Sequence, residues 1–267
     1  SRAKEDVIRE VTVLANNGYK EVVLTGIHLS SYGVDFEDEN LLSLILAVHE
    51  VSGIERIRLG SLEPRIITEE FAKTIAGLPK MCPHFHLSLQ SGCDETLRRM
   101  NRRYTSEEYY EKCQLLRKYF DNPALTTDVI VGFPGETEED FEQLVDFVRE
   151  AKFERMGAFP YSEEEGTFSG DNYEDDIPED VKQSRVDKLM AVQQEVSLDV
   201  NRGKVGQVLK VVIDREETDY FIGRTEFDSP EVDPEVLVEK SLALEIGQFY
   251  DVEITGAEEF DLYGVVR

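Results

Sequence analysis

Glycines, hydroxyls, acids and amides recur in short stretches of this chain: "TGIHLSSYG", "GSLEP", "LQSGCDE", "VGFPGE" and "PYSEEEGT". The fourth lies inside "DVIVGFPGETEEDFEQL", where the apolar run Val129, Ile130, Val131 closes on Gly132, Pro134 and Gly135 before an acidic helix start. Glycine has no side chain to hold a ligand off the backbone, so such a turn either cradles one or merely reverses the chain. A second cluster, "LRRMNRRYT", sets Arg98, Arg99, Arg102 and Arg103 before Tyr104. It suits a phosphate or carboxylate, or the negative end of a helix dipole. Alternation puts His84 and His86 on one strand face as satisfied polar positions, and with His28 apart from them no metal site is expected. Cys82, Cys93 and Cys113 are too far apart for a CxxC site, and an odd count argues against a disulfide framework, so reduced, buried thiols are expected.

Some architecture must carry these stretches to one place. Val129 to Val131 reads as a strand hidden on both faces, the parallel-sheet pattern. Thr137 followed by Asp140 approaches a capping box, and Phe141, Leu144, Phe147 and Val148 recur at helical spacing. The order is strand, glycine turn, helix. "KEVVLTGI", "IERIRLGSLEP", "HFHLSLQSG" and "RMGAFPYS" repeat the strand pattern, with helical patterns such as "AKEDVIREVTVLANNG" and "LLSLILAVHEV" between them. Repeated βα units imply a parallel sheet with helices outside, and the working surface of such a sheet is the carboxyl ends of its strands. Those ends are the stretches quoted first.

The pattern changes after "EDDIPEDVKQSRVDKLMAVQQEVSLDVNRGKVG", which reads as a loop and a long exposed helix entered at Ile177 and Pro178. "QVLKVVIDREE", "YFIGRTEF", "VLVEK" and "FYDVEITGAEEFDLYGVV" are short β-branched and aromatic runs between charged turns, the signal of a small barrel. The fold class expected is α/β, a partial parallel β/α barrel followed by a small all-β barrel, with residues 1–199 in the first domain and 200–267 in the second.

The net charge of −27, from 56 acids and 29 bases, opposes nucleic acid and favours a basic protein partner. Residues 200–267 hold roughly ten more acids than bases, which makes that barrel unpromising for nucleic acid. No apolar run approaches a membrane span, and "SRAKEDVIREV" has no signal-peptide core, so a cytoplasmic location is expected.

"HLSLQSGCDETLRRMNRRYTSEEYYEKCQLLRKYF", "TTDVIVGFPGETEEDF" and "FPYSEEEGT", followed by a terminal β-barrel, resemble the methylthiotransferases of the radical S-adenosylmethionine superfamily, whose last module is called TRAM. The front part, with "LTGIHLSSYG" and "LGSLEPRIIT", is most similar to the branch that thiomethylates a modified adenosine beside the tRNA anticodon. From "FERMGAFPYSEEEGT" onward the chain is most similar to the branch that modifies an aspartate of a small-subunit ribosomal protein.

The resemblance implies S-adenosylmethionine and 4Fe-4S clusters as cofactors, held in the family by a CxxxCxxC loop after the first barrel strand and by a preceding domain. This sequence contains no CxxxCxxC, and it opens as though just beyond that loop, so the first strand is expected to be missing and the chain alone inactive. The resemblance places Gly132, Pro134, Gly135 and Glu136 where adenine lies against exposed backbone. It places Ser61 and Glu63 where ribose hydroxyls are held, Gln90 and Ser91 on the neighbouring strand tip, and Arg103 facing the methionine carboxylate. In "GRTEFDSPEVDPE", Glu226, Asp228, Glu231, Asp233 and Glu235 surround two prolines. This is the expected docking loop for a basic ribosomal protein, with Phe227 as its apolar anchor. Three readings stay open: modification of a ribosomal protein, modification of tRNA, and a non-catalytic binding fragment.

Overall fold

Polar side chains start the helices of the first domain. Asn40, Thr68, Thr105 and Thr137 each accept the backbone N–H three residues on, opening α2 (Leu41–His49), α3 (Glu69–Ala76), α5 (Ser106–Tyr119) and α6 (Glu138–Ala151). Each such cap is worth about 1 kcal/mol. At Thr137 the capping box is complete, because Asp140 accepts in return from the Thr137 N–H. The computed structural model describes residues 1–230 and 233–267.

With α1 (Lys4–Asn16) and α4 (Asp94–Arg99), these helices flank five parallel strands: β1 (Glu21–Leu24), β2 (Arg56–Leu59), β3 (His84–His86), β4 (Ala124–Val131) and β5 (Arg155–Pro160). β1 pairs with β2, β3 with β4, and β4 with β5, while bridges at Ile57–Met81 and Leu62–Leu87 join the two parts. All five expected strands form, in the expected partial barrel. Strand alternation sends Ile57, Leu59, Phe85, Leu87, Val129 and Val131 into the core beneath the helices. The alternate residues Arg56, Arg58, His84, His86, Thr126, Asp128 and Arg155 face the barrel lumen. That lumen is polar, and Ile130 on it is only half-buried. The strand is therefore not hidden on both faces as its apolar run suggested.

The long helix α8 (Glu179–Arg202) is not the exposed rod its sequence suggested. Lys182, Arg185, Leu189, Val192, Gln193, Ser197 and Asn201 form a buried stripe against β5 and α6. Much of that stripe is polar and satisfied by backbone. Gln193 Nε2 donates to the Phe153 carbonyl at 2.8 Å, and Ser197 Oγ to that of Glu154 at 3.0 Å. A reading based on apolar periodicity passes over such a face. Among the described residues, no helix is long and apolar enough to cross a membrane.

After α8, β6 (Val208–Glu216), β7 (Tyr220–Arg224), β8 (Val236–Glu239), β9 (Phe249–Ala257) and β10 (Leu262–Val266) close into a barrel in the order β10-β8-β7-β6-β9. Val211, Ile213, Phe221, Val236, Val238, Val252, Ile254 and Leu262 fill it.

This small barrel seals the floor of the large one. Arg224 bridges Asp214 (2.6 Å) and Glu21 (3.1 Å), and Glu21 also takes Arg58 at 3.2 Å. Burial would raise the pKa of Glu21, but Arg58, Arg224 and Arg56 together hold it below the ordinary value. Arg56 Nη2 and Arg58 Nη1 reach across to the carbonyls of Lys210 (2.6 Å) and Glu226 (3.1 Å).

The loop expected to dock a partner takes part in this seal. Asp228 is 4% exposed and stands 3.9 Å from Arg155, and Asp233 Oδ2 stands 3.1 Å from His84 Nε2. Phe227 is half-buried, with the Lys204 ammonium 5.7 Å from its ring centre. Glu231 lies outside the described residues, and of the loop residues named that are described Glu226 alone is exposed. Asp228 and Asp233 face the lumen floor, where their charges meet Arg155 and His84 rather than solvent.

Candidate functional site at the strand tips

The carboxyl ends of β2 and β3 meet at the barrel mouth. Ser61 Oγ and Ser88 Oγ lie 2.8 Å apart, Ser61 exposed and Ser88 half-buried. Gln90 follows on the same face as Ser88, held in a left-handed conformation (φ 73°) by backbone bonds to Asp128 and Ile130 on the tip of β4. A non-glycine residue at positive φ is strained, and here the tip is braced from below. Tyr104 Oη donates to the Ser88 and Leu89 carbonyls at 2.8 and 3.0 Å, and Tyr109 Oη to that of Leu87 at 2.8 Å. The Gln90 side chain makes no hydrogen bond among the described residues.

Other expected residues have partners already. The Glu63 carboxylate is taken by Arg65, and its N–H donates to Ser30 Oγ at 2.9 Å. Ser91 is buried, and its hydroxyl accepts the Cys93 N–H at 3.2 Å, bracing the start of α4. Arg103 and its neighbour Arg102 are exposed. Arg98 pairs with Glu95, whereas Arg99 lies over the Tyr173 ring, 5.2 Å from its centre.

The glycine turn is packed by its own chain. Gly132 and Gly135 have φ of 71° and 75°, conformations that favour glycine. A Cβ at 132 would stand 2.4 Å from Lys182 Cγ, and one at 135 would stand 1.9 Å from the Arg99 guanidinium. Glu136 folds back beneath the turn, its carboxylate accepting the Gly132 N–H and Arg185 Nη1, each at 2.8 Å. Burial nonetheless pushes the Glu136 pKa up, outweighing the bond to Gly132 and the Arg185 charge. Phe133 packs edge-on against Tyr161, closing the side toward β5. The turn therefore braces the mouth and anchors α8, and the polar side chains beside it are the exposed Ser61 and the half-buried Ser88 and Gln90.

One level down the lumen, His86 Nδ1 contacts Thr126 Oγ1 at 3.0 Å, and its Nε2 stands 3.6 Å from Asp128 Oδ2. Sequence reading placed His86 on the right face and missed Asp128. The polar alternation of Thr126 and Asp128 along β4, in step with His84 and His86 along β3, was the available signal.

Two family models match the chain: the Radical SAM superfamily over residues 1–148 and the TRAM domain over residues 205–266. The chain belongs to the radical SAM superfamily. It is 46% identical over its whole length to the ribosomal protein uS12 methylthiotransferase RimO of Bacteroides thetaiotaomicron, of which it spans 62%. The RimO of Porphyromonas gingivalis is 44% identical over 98% of this chain and 61% of that protein, and that of Christiangramia forsetii 42% over 97% and 58%. The chain thus covers about three fifths of each of these curated relatives. Among solved structures, the Escherichia coli radical SAM enzyme coproporphyrinogen III oxidase (HemN) superposes with a TM-score of 0.57 at 14% identity, over 85% of this chain and 59% of that one. That likeness is one of fold.

The superfamily implies S-adenosylmethionine and a 4Fe-4S cluster. The three thiols here do not fit the cluster. Cys82, Cys93 and Cys113 are all buried, and burial pushes Cys82 up to about 11 and Cys113 up to about 12, away from the thiolate a cluster needs. Among the described residues no group of three or more His, Cys, Asp or Glu side chains is placed to hold a metal ion. At the mouth, the exposed Ser61 and the half-buried Ser88 and Gln90 carry hydroxyl and amide groups, the chemistry that pairs with nucleoside hydroxyls.

Proposed function

We propose that this chain is the barrel and TRAM portion of a methylthiotransferase that adds a methylthio group to an aspartate of ribosomal protein uS12. The observation that carries the reading is the 46% identity to a ribosomal protein uS12 methylthiotransferase, in a match that covers the whole of this chain and so both domains. The acidity of the chain agrees, since a net charge of −27 repels a phosphate backbone and attracts a basic protein. The division near residue 200 and a cytoplasmic location belong to the same proposal.

S-adenosylmethionine, when bound, supplies the methyl group. Ser61 and Gln90 at the mouth hold its ribose, with Ser88 beside them. Glu63, oriented by Arg65, stands at the same rim, and Arg103 offers a cation to the methionine carboxylate. Gly132, Pro134, Gly135 and Glu136 set the shape of the wall, with Ser91 fixing the start of α4 behind Gln90.

Calorimetry with S-adenosylmethionine tests the site. Binding is expected to be weak, because this chain has no cluster ligands to chelate the methionine end. Ser61→Ala and Gln90→Ala are each expected to weaken it severalfold, and Gly135→Val to abolish it. Affinity unchanged in all three would place the cosubstrate elsewhere. Capture of uS12 but not tRNA by the chain at low salt tests the substrate, and the reverse result would give the tRNA branch the assignment.

A further inference from the structure

We propose that Asp128 and Phe159, brought together over Gly157 one level below the lumen mouth, receive a cationic side chain of a basic polypeptide substrate. The inference deepens the methylthiotransferase reading and rests on it. The register of β4 against β5 places Asp128 opposite Gly157 and Ile130 opposite Phe159. A Cβ at Gly157 would stand 2.6 Å from Asp128 Oδ1 and 2.8 Å from Phe159 Cε2. Glycine at this position serves close approach, because it allows a carboxylate and an aromatic ring to converge on one point.

The Asp128 side chain is 48% exposed, and Phe159 at 53% is a large aromatic turned to solvent. The basic group beside Asp128 is His86, at 3.6 Å. Burial pushes the His86 pKa down further than Asp128 restores it, which weakens the imidazole as a counter-charge to the carboxylate. A carboxylate beside an exposed ring offers an ion pair and a cation–π contact to one ammonium or guanidinium.

The surroundings select the occupant. β5 runs directly into Glu163, Glu164 and Glu165, all exposed, and no Lys or Arg occurs from Arg155 until Lys182. A mouth with such a rim concentrates cations and steers a basic chain toward it, while repelling nucleic acid. Phe168, 67% exposed on α7 (Phe168–Asn172), follows the acids in sequence and packs edge-on against Tyr173.

The test uses the full 267-residue chain and two labelled synthetic peptides, one of alternating lysine and glycine, the other with glutamine for lysine. Fluorescence anisotropy at low salt should show binding of the lysine peptide only. Asp128→Asn and Phe159→Leu, each with unchanged circular dichroism, should weaken it by roughly tenfold and roughly threefold. Gly157→Ala should weaken it as well by forcing the two groups apart. Unchanged peptide affinity in both Asp128→Asn and Phe159→Leu overturns the proposal. So does a loss confined to S-adenosylmethionine, itself a cation, which would assign the pair to the cosubstrate. Either failure leaves the methylthiotransferase reading standing, since calorimetry at Ser61 and Gln90 tests that separately.

Discussion

Asp233, on the loop between β7 and β8, sets Oδ2 3.1 Å from Nε2 of His84 on β3, so a TRAM side chain closes the lumen of the large barrel from below. The same oxygen accepts the Ser229 N–H at 2.7 Å, which fixes the loop that delivers it. The two domains thus share a polar core, and their stabilities should be linked.

That linkage has a defined pH sign. Burial alone would raise the Asp233 pKa, but His84, the Ser229 N–H and Arg155 hold it below its ordinary 3.8. A carboxyl depressed in the folded state contributes stability above its unfolded pKa and loses it as pH falls through the lower folded value. Asp233→Asn should therefore be less stable than the parent at pH 6, by about 1–2 kcal/mol, with the gap closing as the pH falls below the ordinary 3.8. Differential scanning calorimetry across that range is the measurement. A gap that widens in acid would contradict the assignment.

Glu136 and Arg185 form a buried pair beneath the glycine turn, with side chains 1% and 8% exposed. Glu136→Ala leaves the guanidinium with only its 3.3 Å contacts to Glu138 and the residue-136 carbonyl, and the Gly132 N–H without its acceptor, and should cost about 2–3 kcal/mol. Because burial already holds the Glu136 pKa above normal, the uncharged glutamine should be tolerated better, at about 1–2 kcal/mol. Urea unfolding of the two variants compares them, and equal losses would show that the pair is not coupled as described.

Gly132→Ala meets two penalties. A left-handed φ of 71° costs alanine about 1–2 kcal/mol, and the new methyl would overlap Lys182 Cγ. Removing the overlap with Lys182→Ala should recover part of the loss in a double-mutant cycle. Strictly additive losses would mean that backbone conformation is the whole penalty.

Buried thiols should resist modification. In the native chain at pH 8, Cys82 and Cys113 are expected to react with a disulfide reagent only as fast as the protein opens, and all three cysteines at once in denaturant. Anaerobic treatment of this chain with iron and sulfide should leave it colourless, and a stoichiometric 4Fe-4S absorption band would refute that.

The sequence by itself determined the order of elements, because its signals are local. Buried strands such as Val129–Val131, the Thr137 cap and the glycine turn after β4 follow from the nearest few residues, and so does the all-β pattern after Gly203. It also determined which residues reach the carboxyl strand ends, since in a parallel sheet those ends share one side. Tertiary structure decided what each residue meets there. The chain does not announce that Lys182 and Arg99 will fill the space beside Gly132 and Gly135, or that Glu136 will turn inward to Arg185. The acids of the β7–β8 loop read as a solvent-facing surface because charge run and composition carry no information on distant partners. Only the fold sets Asp233 against His84 and Asp228 toward Arg155, across more than seventy residues of sequence in each case. The polar stripe of α8 was invisible for the same reason: its hydrogen bonds go to the carbonyls of Phe153 and Glu154, which only folding brings beside it.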